Sequence, residues 1–195
     1  VTSPAYPAVF EGYEAKREEL RAWLRKYYVR GFSLSPPCRI LDAGCGEGFW
    51  AELFREEGFD VVGVDLEPAY VAEGRRKYPE LDLRVADIEG ELPFPRIPIG
   101  SFDVVFVRAV SHLYAPSLRG AVLALGNLRD YLVPGGLLLL SAYTDGSGEA
   151  KKGAFGDYYL WHHAPAAIQI AVEEAGYTVD AVTRSGKYLH IGARR

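Results

Sequence analysis

The stretch Arg39-Ile40-Leu41-Asp42-Ala43-Gly44-Cys45-Gly46-Glu47-Gly48-Phe49-Trp50 reads as an apolar strand that ends in an acid and runs into three alternating glycines. Glycine has no Cβ, so Gly44, Gly46 and Gly48 can take backbone angles closed to other residues and let a ligand lie against the main chain. A helix starting near Phe49 would point its free N–H groups at the same place. Dinucleotide enzymes place G-x-G-x-x-G after a strand in a similar way, with an acid about 20 residues later. Here the spacing is G-x-G-x-G, and Asp42 stands before the first glycine.

Working outward, the rhythm is strand and helix in alternation. Strands are predicted near 39–42, 60–65, 83–86, 102–107 and 137–142, with helices over 49–57, 69–77 and 117–132. Strands punctuated by helices imply a parallel sheet with helices on both faces. Val104-Val105-Phe106-Val107 and Leu137–Leu140 carry no polar alternation and read as buried on both sides. Pro165–Ala175 reads as a helix closed by Gly176, followed by two alternating strands, 177–184 and 188–193, joined at Ser185-Gly186-Lys187. At the other end, residues 1–8 form an arm, and Leu20, Trp23, Leu24 and Tyr27 recur at helical spacing within one predicted helix from about Phe10 to Val29. That helix either packs on the sheet or lids a pocket.

Later strings repeat the theme of an acid at a strand end. They are Val61-Val62-Gly63-Val64-Asp65-Leu66, then Val85-Ala86-Asp87-Ile88, then Leu92-Pro93-Phe94-Pro95 with Ser101-Phe102-Asp103-Val104-Val105, and finally Leu132-Val133-Pro134-Gly135-Gly136 before a leucine run. In order and spacing this set resembles the motifs of the class I S-adenosylmethionine-dependent methyltransferases, in their small-molecule, type 11-like branch. The resemblance spans Arg39 to about Ala142. It implies a Rossmann-like, doubly wound, seven-stranded and mostly parallel α/β sheet with an antiparallel strand supplied by the C-terminal hairpin.

The resemblance also implies a cofactor, S-adenosylmethionine, released as S-adenosylhomocysteine, and it assigns roles by position. Ala43, Gly44, Cys45, Gly46 and Gly48 would form the seat under the methionine part, with Asp42 orienting its amino group directly or through water. Asp65 would accept from both ribose hydroxyls, Leu66 and Ile88 would sandwich the adenine, and Asp87 would accept from its amino group. The main chain at Arg108 or Ala109 would approach the methionyl end. Each acid has a plainer alternative: Asp65 as a helix cap, and Asp87 as a partner for local backbone N–H groups. The Arg108 side chain is open between a substrate carboxylate, a structural ion pair and no side-chain role at all.

For the acceptor, His112 just past the fourth strand is the candidate base. Tyr13, His112, Tyr158, Trp161 and His162 are the candidate substrate contacts, the last three from a segment, 144–164, that is either a substrate lid or a packed surface loop. No N/D-P-P-Y/F string follows the fourth strand, where Arg108-Ala109-Val110-Ser111 stands, which disfavours DNA amino methylation. No Pro-Cys pair suits C5-pyrimidine chemistry.

Composition sets the outer bounds. The 195 residues suit one domain, divided as 1–37 (arm and helix), 38–143 (cofactor core), 144–164 (substrate segment) and 165–195 (helix and hairpin). A net charge of −4 and a pI near 5.6 make a nucleic-acid partner unexpected and a small-molecule acceptor the expectation. No apolar run is long enough for a bilayer and no signal pattern opens the chain, so a cytoplasmic protein is expected. Two cysteines, Cys38 and Cys45, invite neither a disulfide nor a zinc site, so no metal is expected. One asparagine, one glutamine and no methionine fit a heat-adapted source. Two rivals share parts of this reading: a nicotinamide-dependent oxidoreductase on a similar core, and a module that binds the cofactor without catalysis.

Overall fold

The computed structural model describes residues 6–90, 93, 94, 96–152 and 159–195, with side chains from Phe10 onward. Tyr158, together with the segment around it, and the first five residues lie outside the described residues. The elements are α1 (Tyr6–Ala15), α2 (Arg17–Leu24), a π-helical turn (Arg25–Arg30), β1 (Arg39–Ala43), α3 (Phe49–Glu56), β2 (Asp60–Asp65), α4 (Pro68–Lys77), β3 (Asp82–Val85) and β4 (Phe102–Arg108). A 3-10 turn (Ser111–Tyr114), α5 (Arg119–Arg129), β5 (Leu132–Tyr143), β6 (Ala150–Lys152), β7 (Tyr159–Trp161), α6 (Pro165–Glu174), β8 (Thr178–Ser185) and β9 (Tyr188–Arg194) follow.

Seven strands form one sheet in the order β3-β2-β1-β4-β5-β9-β8. The pairs β1·β2, β1·β4, β2·β3 and β4·β5 are parallel, while β9 runs antiparallel to both β5 and β8. Only β9 is reversed, because the tight Gly186 turn returns the chain between β5 and β8. The sheet is therefore the expected one, with the hairpin inserting its second strand. Its central strands are covered on both faces, as their unbroken apolar sequence requires. Along β4 the side chains alternate: Val105 and Val107 join the core under α5 and α6, and Val104 and Phe106 join the core under α3, Leu24 and Tyr28.

Three local departures from the expected elements have physical causes. The N-terminal helix is two helices, broken at Lys16 (φ −116°, ψ 20°), and α2 winds into a π-helical turn that seats Tyr28 in the core. This break lets α1 lie against α3 while Leu24 and Tyr28 pack into the core under it. The fifth strand is longer than its apolar run, beginning at Leu132 and passing a register shift against β4 near Pro134-Gly135. The segment 144–164 holds the small antiparallel pair β6·β7. Among the described residues no helix is long and apolar enough to cross a membrane.

Because β1 to β4 are parallel, their carboxyl ends open on one edge, where ligands bind in open α/β sheets.

Candidate active site

The turn after β1 is held by backbone bonds. The N–H groups of Gly44 and Cys45 both donate to the Val64 carbonyl, at 2.8 and 3.0 Å, which ties the turn to β2. Gly44 (φ +78°) and Gly46 (φ +56°) are left-handed, and each faces a close neighbour: a Cβ would sit 2.4 Å from Val110 Cγ1 at Gly44 and 2.7 Å from Phe10 Cζ at Gly46. Gly48 (φ +83°) serves the helix instead, as the residue from which α3 starts, with Leu81 and Leu83 close by. Ala43 is buried in the sheet.

Over this turn lies a cavity of about 660 Å³. Its lining brings together Tyr13, Gly44, Cys45, Gly46, Asp65, Leu66, Asp87, Ile88, Arg108, Ala109, His112 and His162 from the sequence expectations. Asp42, Ala43, Gly48 and Trp161 are not in its wall.

On the β1–β3 side, Asp65 Oδ2 accepts from the Gly46 N–H (2.8 Å) and Oδ1 from the Glu67 N–H (2.9 Å), so this carboxylate braces the turn as well as facing the cavity. Burial pushes its pKa up. Asp87 Oδ1 accepts from the Glu89 N–H (2.9 Å), the local use foreseen as its alternative, while the residue also lines the cavity. Leu66, 64 % exposed, and buried Ile88 offer apolar walls.

Asp42 sits beneath the turn. It is 2 % exposed, and its Oδ2 has no hydrogen-bond partner. Burial, with the neighbouring Asp65 charge second, pushes its pKa to about 7 against the opposing pull of the Ala51 N–H and Arg108.

On the β4–β9 side, Arg108 ends β4 and is 8 % exposed. Its guanidinium carbon lies over the rings of Trp50 (4.4 Å to the centroid), Tyr188 (4.6 Å) and Trp23 (5.0 Å), Nη1 donates to Ser141 Oγ (2.9 Å), and buried Nε has no partner. Ala109 then turns the chain with φ +54°, unusual for a residue with a Cβ, its N–H held by the Ser141 carbonyl. His112 lies in the 3-10 turn with Nε2 3.2 Å from Glu89 Oε1 and a buried Nδ1 lacking any partner.

The far wall is made by β6, β7 and β9. His162 is buried and faces the cavity, but its Nδ1 accepts from the Asp145 N–H (3.3 Å), so it anchors the 144–146 turn. Trp161 corrects the expectation: the alternation of β7 turns Leu160 and His162 inward and Trp161 to the other face, beside His163. Phe10 and Tyr13 of α1 close the roof, while α2 and the π-helical turn pack on the sheet, so the N-terminal segment divides the two roles foreseen for it.

A family model described as a methyltransferase domain matches residues 40–136, about half of the chain. The chain belongs to the class I S-adenosylmethionine-dependent methyltransferases. Among curated relatives, the malonyl-[acyl-carrier protein] O-methyltransferase of Serratia marcescens is 30% identical over 155 residues, 77% of this chain and 57% of that protein. The demethylmenaquinone methyltransferase of Thermus thermophilus is 36% identical over 128 residues, 63% of this chain and 53% of that protein. The chain thus spans little more than half the length of either. Among solved structures, a methyltransferase from Methanosarcina mazei matches with a TM-score of 0.72 at 14% identity, covering 87% of this chain and 97% of that one. An amino pentose methyltransferase from Micromonospora echinaspora, with S-adenosylmethionine bound, matches at 0.68 and 17%, covering 100% and 98%. At such identities the likeness speaks for the fold.

The residues of this chain fit the family's cofactor, since the two left-handed glycines line the cavity with bare main chain where a Cβ would run into Val110 or Phe10. Gly44→Ala is therefore expected to lower affinity for S-adenosylhomocysteine at least about tenfold and to lower the thermal midpoint, because a left-handed alanine costs about 1–2 kcal/mol before any clash with Val110. Calorimetric titration and a melting curve check both; an alanine variant that binds normally would remove the close approach from the account.

Sequence reasoning missed Phe10, Trp50, Tyr70, Tyr114, Tyr143 and Tyr188 in the wall of the cavity. The signal available was the alternation of Tyr188 and His190 in β9, which marks one face of the hairpin without saying what that face meets.

Proposed function

We propose that this domain carries out methyl transfer from S-adenosylmethionine to a small-molecule acceptor, leaving S-adenosylhomocysteine, and that residues 1–195 act as one unit with 144–164 closing over the acceptor. The observation that carries the reading is the cavity itself: motif residues of the turn and of β2 form one end, and an aromatic and basic wall from β4, β5, β6, β7 and β9 forms the other. A volume near 660 Å³ is in the range of small-ligand pockets. The acidic pI of about 5.6 favours such an acceptor over a nucleic acid. Named relatives act on malonyl-[acyl-carrier protein], demethylmenaquinone and an 18S rRNA guanine, so the acceptor is argued from the pocket and not from kinship. The lean amide content supports a heat-adapted source.

S-adenosylmethionine supplies a sulfonium methyl that is already activated. What remains for the chain is to hold the donor, align the acceptor, exclude water and, for a protonated acceptor, take up a proton. Asp65, Leu66, Asp87 and Ile88 are placed to hold the nucleoside, and the Gly44–Gly46 turn and the Ala109 main chain the methionyl end. We assign the role of base to His112, which lines the cavity with Nε2 3.2 Å from Glu89 Oε1, a carboxylate placed to hold the imidazolium that forms.

A panel of small acceptors screened for methyl transfer tests the proposal. With a turned-over acceptor in hand, His112→Ala is expected to slow turnover about 10²–10⁴-fold while S-adenosylhomocysteine binds as before. Full turnover in that variant would remove the base. Tight cofactor binding with no transfer across a broad panel would favour the non-catalytic module.

A further inference from the structure

The cavity's charges are sorted by strand. Beyond β2 and β3 its wall holds carboxylates, Asp65, Glu67 and Asp87. Beyond β4, β5 and β9 it holds Arg108, Lys151 and Lys187; the described carboxylate there, Asp145, is already tied to Lys151 (2.5 Å).

Arg108 is the strongest element of this asymmetry. A guanidinium stays charged at any ordinary pH, and burying one without a carboxylate costs several kcal/mol of lost hydration. Among the described residues no acid is within ion-pair distance of it; three aromatic faces, the Ser141 hydroxyl and the phenol groups of Tyr13 and Tyr28 surround it, with Nε still unpartnered. Cation–π contacts return only part of that loss. His190, which packs on Trp23 and Tyr28 in the same cluster, brings no negative charge. The arrangement is thus a preformed cationic anchor inside an aromatic box at the acceptor end of the cavity.

We infer that the acceptor carries a carboxylate, and that Arg108 receives it in the box formed by Trp23, Trp50 and Tyr188. This rests on the reading that the β1–β3 side holds the methyl donor. A planar guanidinium matches a carboxylate, and the aromatic walls dry the pair and strengthen it. The acid arrives with the ligand, so the free protein keeps an unpaired charge that the bound one neutralises.

The test uses the protein loaded with S-adenosylhomocysteine and matched carboxylate and amide probes, benzoate with benzamide and hexanoate with hexanamide, titrated by calorimetry. At least one carboxylate is expected to bind about tenfold or more tighter than its amide, and Arg108→Met to abolish that preference. The variant should also melt at or above the wild-type temperature, since replacing a buried unpaired ion by an apolar side chain of similar length is neutral or stabilising. Equal binding of every pair, or a preference that survives in Arg108→Met, overturns the inference, as does a melting point several degrees lower, which would make the residue a structural key. Should Arg108→Met not fold, the pairwise comparison in wild type and in Arg108→Lys decides. The cofactor's own carboxylate is the other source of this chemistry. If Arg108→Met weakens S-adenosylhomocysteine but leaves methylthioadenosine, which lacks the amino-acid part, unchanged, the anchor belongs to the donor and the inference falls. Failure of S-adenosylhomocysteine to bind wild type would instead strike the donor-site reading.

Discussion

Replacing Asp65 by alanine is expected to weaken S-adenosylhomocysteine binding by about a hundredfold or more, with a lower thermal midpoint. Hydrogen bonds to a charged group contribute about 1.5–3 kcal/mol each, and this carboxylate makes two to the backbone, at Gly46 and Glu67. The variant therefore loses more than a ribose acceptor, because the N–H of Gly46 is released and the cradle it belongs to loosens. Adenosine serves as a second calorimetric probe: a parallel loss for adenosine places the effect at the ribose, whereas a loss confined to S-adenosylhomocysteine places it at the turn. Asp65→Asn, which keeps one acceptor oxygen, should fall between. Unchanged affinity in the alanine variant would mean that the ribose lies elsewhere.

A second large effect belongs to pH and Asp42. Its pKa in the fold is about 7, against 3.8 for an ordinary aspartate, because it is buried next to Asp65 with one oxygen unpartnered. The folded-state value is raised, so the contribution to stability is fully present below about pH 4, where both states hold the proton. It is lost as pH rises towards 7, since the unfolded chain gives up the proton first. At about 1.4 kcal/mol per unit, the loss across this window is of the order of 4 kcal/mol at most. An amide at this position has no proton to lose and carries no such linkage. Urea unfolding from about pH 4.5 to pH 8 should show Asp42→Asn gaining on wild type as pH rises, and a difference that stays flat would place the buried proton on another group.

The parts of the fold legible beforehand were those written in short-range pattern. The glycines that follow Asp42, the acids ending β2 and following β3, and the alternation of the terminal hairpin each express a local backbone requirement, and the strand order follows from them. The break at Lys16 was not legible, because Leu20, Trp23, Leu24 and Tyr27 keep helical spacing and only tertiary contacts show that α1 roofs the cavity while α2 packs. The facing of Trp161 depends on the pairing of β6 with β7, which a segment of glycine and mixed polar residues does not announce. The Arg108 box was hidden for a different reason: its walls come from α2, α3 and β9, separated by well over a hundred residues, and no local spacing encodes their meeting.

The reversal of β9 against six strands that share one direction divides labour within the fold. On the proposed reading, the donor is held by segments after β1, β2 and β3 and by the Ala109 main chain, while the opposite wall comes from β4, β5 and the chain after them. Insertions or exchanges in the later half can remodel what is methylated without disturbing how the methyl source is gripped. Chimaeras joined within α5 should consequently retain nucleoside affinity and the Arg108 anchor while changing the part of acceptor preference that β5 onward sets, which makes this architecture a ready chassis for redirected chemistry.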